Sequence, residues 1–270
     1  MKKFSLAIAA SLALALQYIG VANAVTDGTP DGNGHPHVGL LVFDVDGDPA
    51  WRCSGTLLSP RILLTAGHCT DGATGGRVWF ESDVQSQRKT LGYPSGGRTS
   101  VEFCHIHTHP RFSEGSFVLH DVGVVELCKP VKSSVYGALP AVDQLDTLAA
   151  STNKKSVWFT AVGYGLQKSF PDAASWKDQA YLVRMVANPE LVQINVPGFT
   201  GDFSLLLSNN TATGGTCFGD SGGPNFIGSS NVVGGVTSYG KNGTCGGQGG
   251  VYRVDKADDL DWLATFGVRP

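Results

Sequence analysis

A serine hydroxyl attacks a carbonyl carbon at neutral pH only when an imidazole takes its proton and a carboxylate orients that imidazole and steadies its charged form. Three separated segments carry these residue types: Thr65-Ala66-Gly67-His68-Cys69, Asp121-Val122-Gly123-Val124-Val125 and Gly219-Asp220-Ser221-Gly222-Gly223-Pro224. The chemistry they predict is acyl transfer, with Ser221 as nucleophile, His68 as the proton carrier and Asp121 as the orienting group. Gly219 permits a tight turn in which the amides of Gly219 and Ser221 converge on the developing oxyanion. His120 adjoins Asp121, but neighbours along a strand point to opposite faces, so His68 is the better base.

The remaining candidate ligands are weaker. His105, His107 and His109 recur at period two, which on a strand would set three imidazoles on one face and could bind zinc or copper. A surface segment is the preferred reading. At Asp44, Asp46 and Asp48 the glycine sits too early for a calcium loop and the closing glutamate is missing, so a solvated hairpin tip is expected. His35 and His37 are placed at the entry to the first β-unit. The sequence reading assigns no metal and no cofactor.

These residues need a framework, and the composition points to β-structure. The chain has 270 residues, 41% of them hydrophobic, which is ample for a buried core, and 36 glycines, which suit short strands joined by tight turns. A net charge of −3 gives no basic footprint for nucleic acid or an anionic membrane. His37 to Asp44 and Ala50 to Leu58 read as a hairpin around Asp46-Gly47-Asp48-Pro49. Further strand-like runs are Arg77 to Phe80, Val122 to Leu127, Ser156 to Val162, Tyr181 to Val186, Asn231 to Ser238 and Val251 to Val254. Ala138-Leu139-Pro140-Ala141 could join two β-domains. Lys256 to Phe266 carries an amphipathic helix, with Leu260, Leu263 and Ala264 on one face, and is expected to pack on the second domain. Trp51, Trp79, Trp158, Trp176 and Trp262 read as packing residues.

The first residues combine Lys2-Lys3, an apolar run from Phe4 to Leu16 and the small-residue signal Ala22-Asn23-Ala24. Residues 1–24 are read as a removable signal peptide, too short in its apolar run to anchor a membrane, and the mature chain is expected to begin at Val25 outside the cytoplasm. Six cysteines without a Cys-x-x-Cys pair suit three disulfides in such a compartment, and the residues alone do not choose the pairing. Asn209-Asn210-Thr211 and Asn242-Gly243-Thr244 have the form of glycosylation sites, with polar turns as the preferred reading.

Beyond the three motifs, the chain contains Cys53-Ser54-Gly55-Thr56-Leu57, Val162-Gly163-Tyr164-Gly165, Ser238-Tyr239-Gly240 and Gly250-Val251-Tyr252. Together and in this order they resemble the chymotrypsin and trypsin family of serine endopeptidases. The resemblance implies an all-β fold of two six-stranded antiparallel β-barrels with the catalytic cleft between them, plus a C-terminal helix. It divides the chain into residues 1–24, a first barrel over 25–140 bearing His68 and Asp121, and a second over 141–270 bearing the nucleophile. It pairs Cys53 with Cys69 and Cys217 with Cys245, which leaves Cys104 for Cys128. It also implies an activating ion pair between a new N-terminal ammonium, here that of Val25, and Asp220.

For specificity, the resemblance puts the base of the primary pocket near Gly215 and Thr216, with walls at Ser238, Tyr239 and Gly240 and at Gly249 and Gly250. No carboxylate occupies that base, and glycine at Gly240 and Gly250 leaves room, so an apolar or aromatic side chain before the scissile bond is expected. The implied partners are protein or peptide substrates and proteinaceous inhibitors, with no nucleic acid, no membrane after signal removal, and a monomeric state. A non-catalytic binding protein on the same fold is the alternative, and the presence of all three triad residues argues against it.

Overall fold

The computed structural model describes residues 25–116, 118–149, 157–169 and 178–270. The signal sequence read at residues 1–24, the start of the strand read from Ser156, and Trp176 lie outside them. In chain order come β1 (Thr29–Pro30), β2 (Val38–Val45), β3 (Asp48–Leu57), β4 (Ile62–Thr65), the single-turn α1 (Gly67–Thr70), β5 (Gly75–Trp79), α2 (Arg88–Leu91), β6 (Val101–Thr108) and β7 (Gly123–Leu127). Strands β2 to β7 close into an antiparallel barrel in the order β2-β3-β4-β7-β6-β5.

Strand β2 is buried on both faces, and its alternation explains how the barrel is both filled and joined to its neighbour. Leu41 and Phe43 point inward to a core shared with Leu63 and Val78. Leu40 and Val42 point outward into a second cluster with Trp79, Tyr164 and Leu182. The last two belong to the C-terminal half, so one strand contributes to two cores.

The C-terminal half contains α3 (Asp146–Ala149), β8 (Phe159–Gly163), β9 (Lys168–Ser169), β10 (Asp178–Gln179), β11 (Met185–Ala187), β12 (Leu191–Val196), β13 (Gly201–Asn209), β14 (Pro224–Ile227), β15 (Val233–Gly240), β16 (Gly247–Arg253) and α4 (Ala257–Ala264). Its main sheet has eight strands in the order β1-β11-β8-β14-β15-β16-β13-β12. The sheet curls because β11 and β12 are nearly continuous. At the bend between them Phe159 N donates to Pro189 O at 2.9 Å, and Ser208 N donates to Glu190 O at 2.9 Å, so one bent segment touches strands from both sides. The all-β, two-unit expectation holds, with the second unit a curled eight-stranded sheet that recruits β1 from the N-terminal end.

Two local expectations differ. Of the strand read over Tyr181 to Val186, only the end joins the sheet, because Leu182 and Arg184 turn to the first barrel: Val84 N donates to Leu182 O at 2.9 Å and Arg184 N to Ser82 O at 2.7 Å. The fully buried Arg184 guanidinium bonds Asp31, Val38 O, Phe80 O, Gly32 O and the Tyr164 hydroxyl, satisfying a charge that burial would otherwise penalise. The C-terminal helix does not pack on the second unit alone. Trp262 meets His109 edge-on at 5.0 Å, Phe266 meets His107 at 4.8 Å, and Arg111 bonds Asp258 at 2.6 Å, so α4 straps the chain onto the first barrel.

Three disulfides join Cys53 to Cys69, Cys104 to Cys128 and Cys217 to Cys245.

Candidate active site

His68 lies in α1, between the end of β4 and the Cys53–Cys69 bridge. Asp121 immediately precedes β7, the strand paired with β4, so the barrel register itself brings the two together. His68 Nδ1 lies 2.9 Å from Asp121 Oδ2 and 3.1 Å from Oδ1, while the His68 backbone N–H donates to Oδ1 at 2.8 Å. A third donor comes from the other half: Ser238 Oγ reaches Asp121 Oδ2 at 2.5 Å. Asp121 is fully buried and saturated with donors. Burial by itself depresses the His68 pKa, but the charge of Asp121 and its hydrogen bond override this and raise it above 6.5.

Ser221 sits in a loop whose backbone orientation is fixed by its carbonyls. Leu166 N donates to Phe218 O at 2.8 Å and Gly223 N to Asp220 O at 2.7 Å. In a trans peptide the N–H points away from its carbonyl, so these bonds turn the Gly219 and Ser221 amides to the opposite side, where neither meets an acceptor among the described residues. Ser54 holds the same loop twice, its N–H on Ser221 O at 2.8 Å and its Oγ on Gly219 O at 3.0 Å. Gly222 has φ +75°, and a Cβ there would come within 2.0 Å of Thr65 Oγ1 and 2.7 Å of Ala66 N. Its lack of a side chain lets the nucleophile loop approach the His68 segment.

His68 and Ser221 line one pocket of about 370 Å³, together with Thr216, Phe218, Ser238, Tyr239 and Gly240. They are not hydrogen-bonded to each other, as is common in unliganded sites of this kind. Two expected lining residues lie elsewhere. A Cβ on Gly215 would fall 2.3 Å from Asn209 Cγ, so this backbone is pressed against Asn209 rather than open to the cleft. A Cβ on Gly250 would fall 2.3 Å from the Tyr239 ring, so the room is filled by Tyr239. The cause is a bulge: pairing of β15 with β16 shifts between Thr237 and Tyr239, which sets Tyr239 opposite Gly250 and re-aims Ser238 toward Asp121. Exposed Phe218 lines the rim, and exposed Phe199 packs edge-on against Tyr239 at 5.4 Å.

Asp220 is buried directly behind the nucleophile. It accepts from Gly165 N at 2.8 Å and Cys217 N at 2.9 Å, and Cβ atoms on Gly163 or Gly165 would collide with it. Burial pushes its pKa up to about 7 against the lowering effect of those two amides and of Arg52. Val25 packs in a buried cluster with Met185 and Ala187, and Met185 pairs with Gly163, the residue in contact with Asp220. Thr26 fixes this segment through Gly215 N to Thr26 O at 3.0 Å and Thr26 Oγ1 to Asn209 Oδ1 at 2.7 Å. Asn209 is thereby buried and is no glycan acceptor, whereas Asn242 is exposed.

Of the histidines read at period two, His105 and His107 share a face of β6, their rings 6.2 Å apart, and His109 lies beyond the strand's end at Thr108. Pairing with β7 is regular from His105 to Thr108, with His105 exposed and His107 on Glu126 at 2.8 Å. His109 instead joins His120 and Asp259 in a buried cluster, His109 Nε2 being 3.6 Å from Asp259 Oδ1. The two imidazoles are stacked within 11° of parallel, which sends their in-plane lone pairs into separate planes rather than to one ligand point. His35 bonds Asp31, and His37 packs against Phe226.

A closed barrel and a curled sheet meeting at a histidine, a buried aspartate and a glycine-flanked serine define the chymotrypsin-like class of serine hydrolases. The chain belongs to the trypsin family, whose model, described as Trypsin, matches residues 29–262. It is 28% identical to brachyurin of Leptuca pugilator over 88% of this chain and 96% of that one. It is 27% identical to a collagenase of Hypoderma lineatum over 83% and 79%. The solved structure of HL collagenase superposes with a TM-score of 0.71 at 21% identity, covering 91% of this chain and all of the other. A mutant of human heparin binding protein shares the fold, with a TM-score of 0.65 at 16% identity over 89% and 95%.

Sequence reasoning missed three contributors: Ser238 as the second anchor of Asp121, Ser54 as the brace of the nucleophile loop, and Arg52 beside Gly219. Ser54 and Ser238 both stood in the resembling motifs, Cys53-Ser54-Gly55 and Ser238-Tyr239-Gly240, but neither motif gave these contacts, and Arg52 carried no signal.

Proposed function

We propose that the chain is a secreted serine endopeptidase acting through an acyl-enzyme. The observation that carries the reading is the common pocket: His68, oriented by a buried Asp121, faces Ser221, and two unpaired loop amides accompany the nucleophile. Ser221 Oγ attacks the peptide carbonyl while His68 Nε2 takes its proton, and Asp121 stabilises the resulting imidazolium. The Gly219 and Ser221 amides receive the oxyanion, and His68 then protonates the leaving amine. Water repeats the sequence in reverse to release the acid.

The side chain before the scissile bond enters the pocket at Thr216, Ser238 and Gly240. Its uncharged lining and the Phe218 and Tyr239 rings support an apolar or aromatic preference. Similarity to brachyurin and a collagenase supports a protein substrate. The two catalytic lobes are taken as residues 25–140 and 141–270. Release of residues 1–24 frees the Val25 ammonium to pair with Asp220, and the buried Val25 cluster beside the Gly163 strand supports that seat.

The test is the intact mass of the secreted protein before and after a serine-directed fluorophosphonate. The expected result is a mass for Val25 to Pro270 with three disulfides, one adduct, and no adduct in Ser221→Ala. A correctly trimmed protein that takes no adduct would overturn the reading.

A further inference from the structure

We propose that Arg52 and Arg88 form a cationic subsite for an acidic side chain in the leaving-group half of the substrate, within the first three residues after the scissile bond. The inference rests on the endopeptidase reading and names a specificity of that same site.

Arg52 lies on β3, next to Cys53, whose disulfide partner Cys69 follows His68. Its guanidinium packs on the nucleophile loop: a Cβ built on Gly219 would lie 3.1 Å from Arg52 Nε and 3.6 Å from Nη2. A positive charge therefore stands beside the residue whose amide faces the oxyanion. The pocket at Thr216, Ser238 and Gly240 lies on the other flank of Ser221 and does not include Arg52. A peptide whose acyl half fills that pocket would carry its leaving half away from it, to the side of the nucleophile loop where Arg52 stands.

Arg52 is half-buried, and its guanidinium makes no hydrogen bond or ion pair among the described residues, although its charge reaches the buried Asp220 behind the loop. Arg77, Arg111, Arg184 and Arg253, by contrast, each bind an aspartate. Arg52 opens into a separate pocket of about 330 Å³ walled by Pro49, Trp51, Tyr93 and Pro94, with Arg88 as its second cation and no carboxylate in its lining. Arg88 Cζ sits 5.1 Å over the Tyr93 ring, which steadies the guanidinium on its face and leaves its N–H edge free. Two unpaired guanidiniums in one apolar-walled groove repel each other, and a carboxylate offsets both charges. The planar fork suits a carboxylate, and the ring and proline walls suit the methylene groups that carry it.

The experiment uses internally quenched peptides with a common acyl half and Ala, Asp or Lys at each of the first three positions after the scissile bond. At one position the processed enzyme is expected to turn over the Asp peptide about tenfold better in kcat/KM than the Lys peptide, with the ratio falling as salt is added. The ratio should approach one in Arg52→Gln, recover in Arg52→Lys, and fall partway in the exposed variant Arg88→Gln. Because it is taken within one variant, any loss common to all peptides cancels. Equal turnover of Asp and Lys peptides at all three positions by the wild-type enzyme overturns the subsite while leaving the endopeptidase reading standing. So does retention on heparin that depends on both arginines without peptide discrimination, which would assign the groove to a sulfated polysaccharide. Failure to cleave any peptide and to take the fluorophosphonate adduct sinks the endopeptidase reading and the subsite with it.

Discussion

Ser238 donates to Asp121 Oδ2 at 2.5 Å across 117 residues of sequence, so the strand that walls the substrate pocket also holds the carboxylate that orients His68. The bond spans the two halves of the molecule, and the bulge in β15 makes it possible. Asp121 has its other donors from His68 itself, so Ser238 is the anchor that is independent of the base it positions.

Removing that anchor with Ser238→Ala should lower kcat about tenfold, the cost of one hydrogen bond to a charged group, with a smaller change in KM. Asp121→Asn should cost far more, on the order of 10⁴ in kcat, because the imidazole is then held in the wrong tautomer. Steady-state kinetics of the two variants against one peptide decides the point. Equal losses would mean that Ser238 acts on more than the carboxylate.

The raised His68 pKa fixes the sign of the pH dependence. Catalysis needs neutral His68, so kcat/KM should fall on the acid side with an apparent pKa above 6.5. For stability the sign is opposite: the His68–Asp121 attraction contributes fully below about pH 6.5, the unfolded value, and is lost as pH rises through the folded pKa. A kcat/KM profile with its acid limb below 6.5 would contradict the dominance of Asp121 over burial.

Asp220 predicts a difference between precursor and processed protein. Its folded pKa of about 7 exceeds the ordinary 3.8, so its contribution to stability is fully present below pH 3.8 and is lost as pH rises through 7. The precursor, in which Val25 carries a peptide nitrogen, should therefore lose Tm across this window. The trimmed protein should not, because its ammonium pairs with the carboxylate. Asp220→Asn should flatten the precursor curve. Parallel thermal melts of both forms between pH 4 and 8 test this, and identical curves would remove Val25 as the partner.

The catalytic motifs were legible because each role is local. A nucleophile loop needs its glycines where the backbone turns or passes close, and Gly222 meets Thr65 as such a loop requires. Alternation likewise located β2 and β3 to within two residues at either end. What stayed hidden depends on where strands slip. The bulge at Ser238 sets the Tyr239 ring in the space expected at Gly250, and the end of β6 at Thr108 takes His109 off the face that His105 and His107 share. The docking of α4 on the first barrel rests on Trp262 meeting His109, a contact between residues far apart in sequence that an apolar stripe cannot foretell.

Gly222→Ala should be among the most damaging single substitutions in the molecule. The residue has φ +75°, where an L side chain is strained, and the added carbon would sit 2.0 Å from Thr65 Oγ1 and 2.7 Å from Ala66 N. Rotating Thr65 cannot relieve the contact with Ala66, because that atom is backbone. The loop must retreat, carrying Ser221 away from His68 and loosening the Ser54 bonds to Gly219 and Ser221. The expected result is a loss of about 2–4 kcal/mol in stability and of more than about 10²-fold in kcat. Gly243→Ala is the control, since its Cβ would enter open space with no positive φ, and it should leave the melting temperature unchanged. Denaturant unfolding of both variants, with fluorophosphonate labelling rates for Ser221, separates a displaced nucleophile from a protein that has merely lost stability.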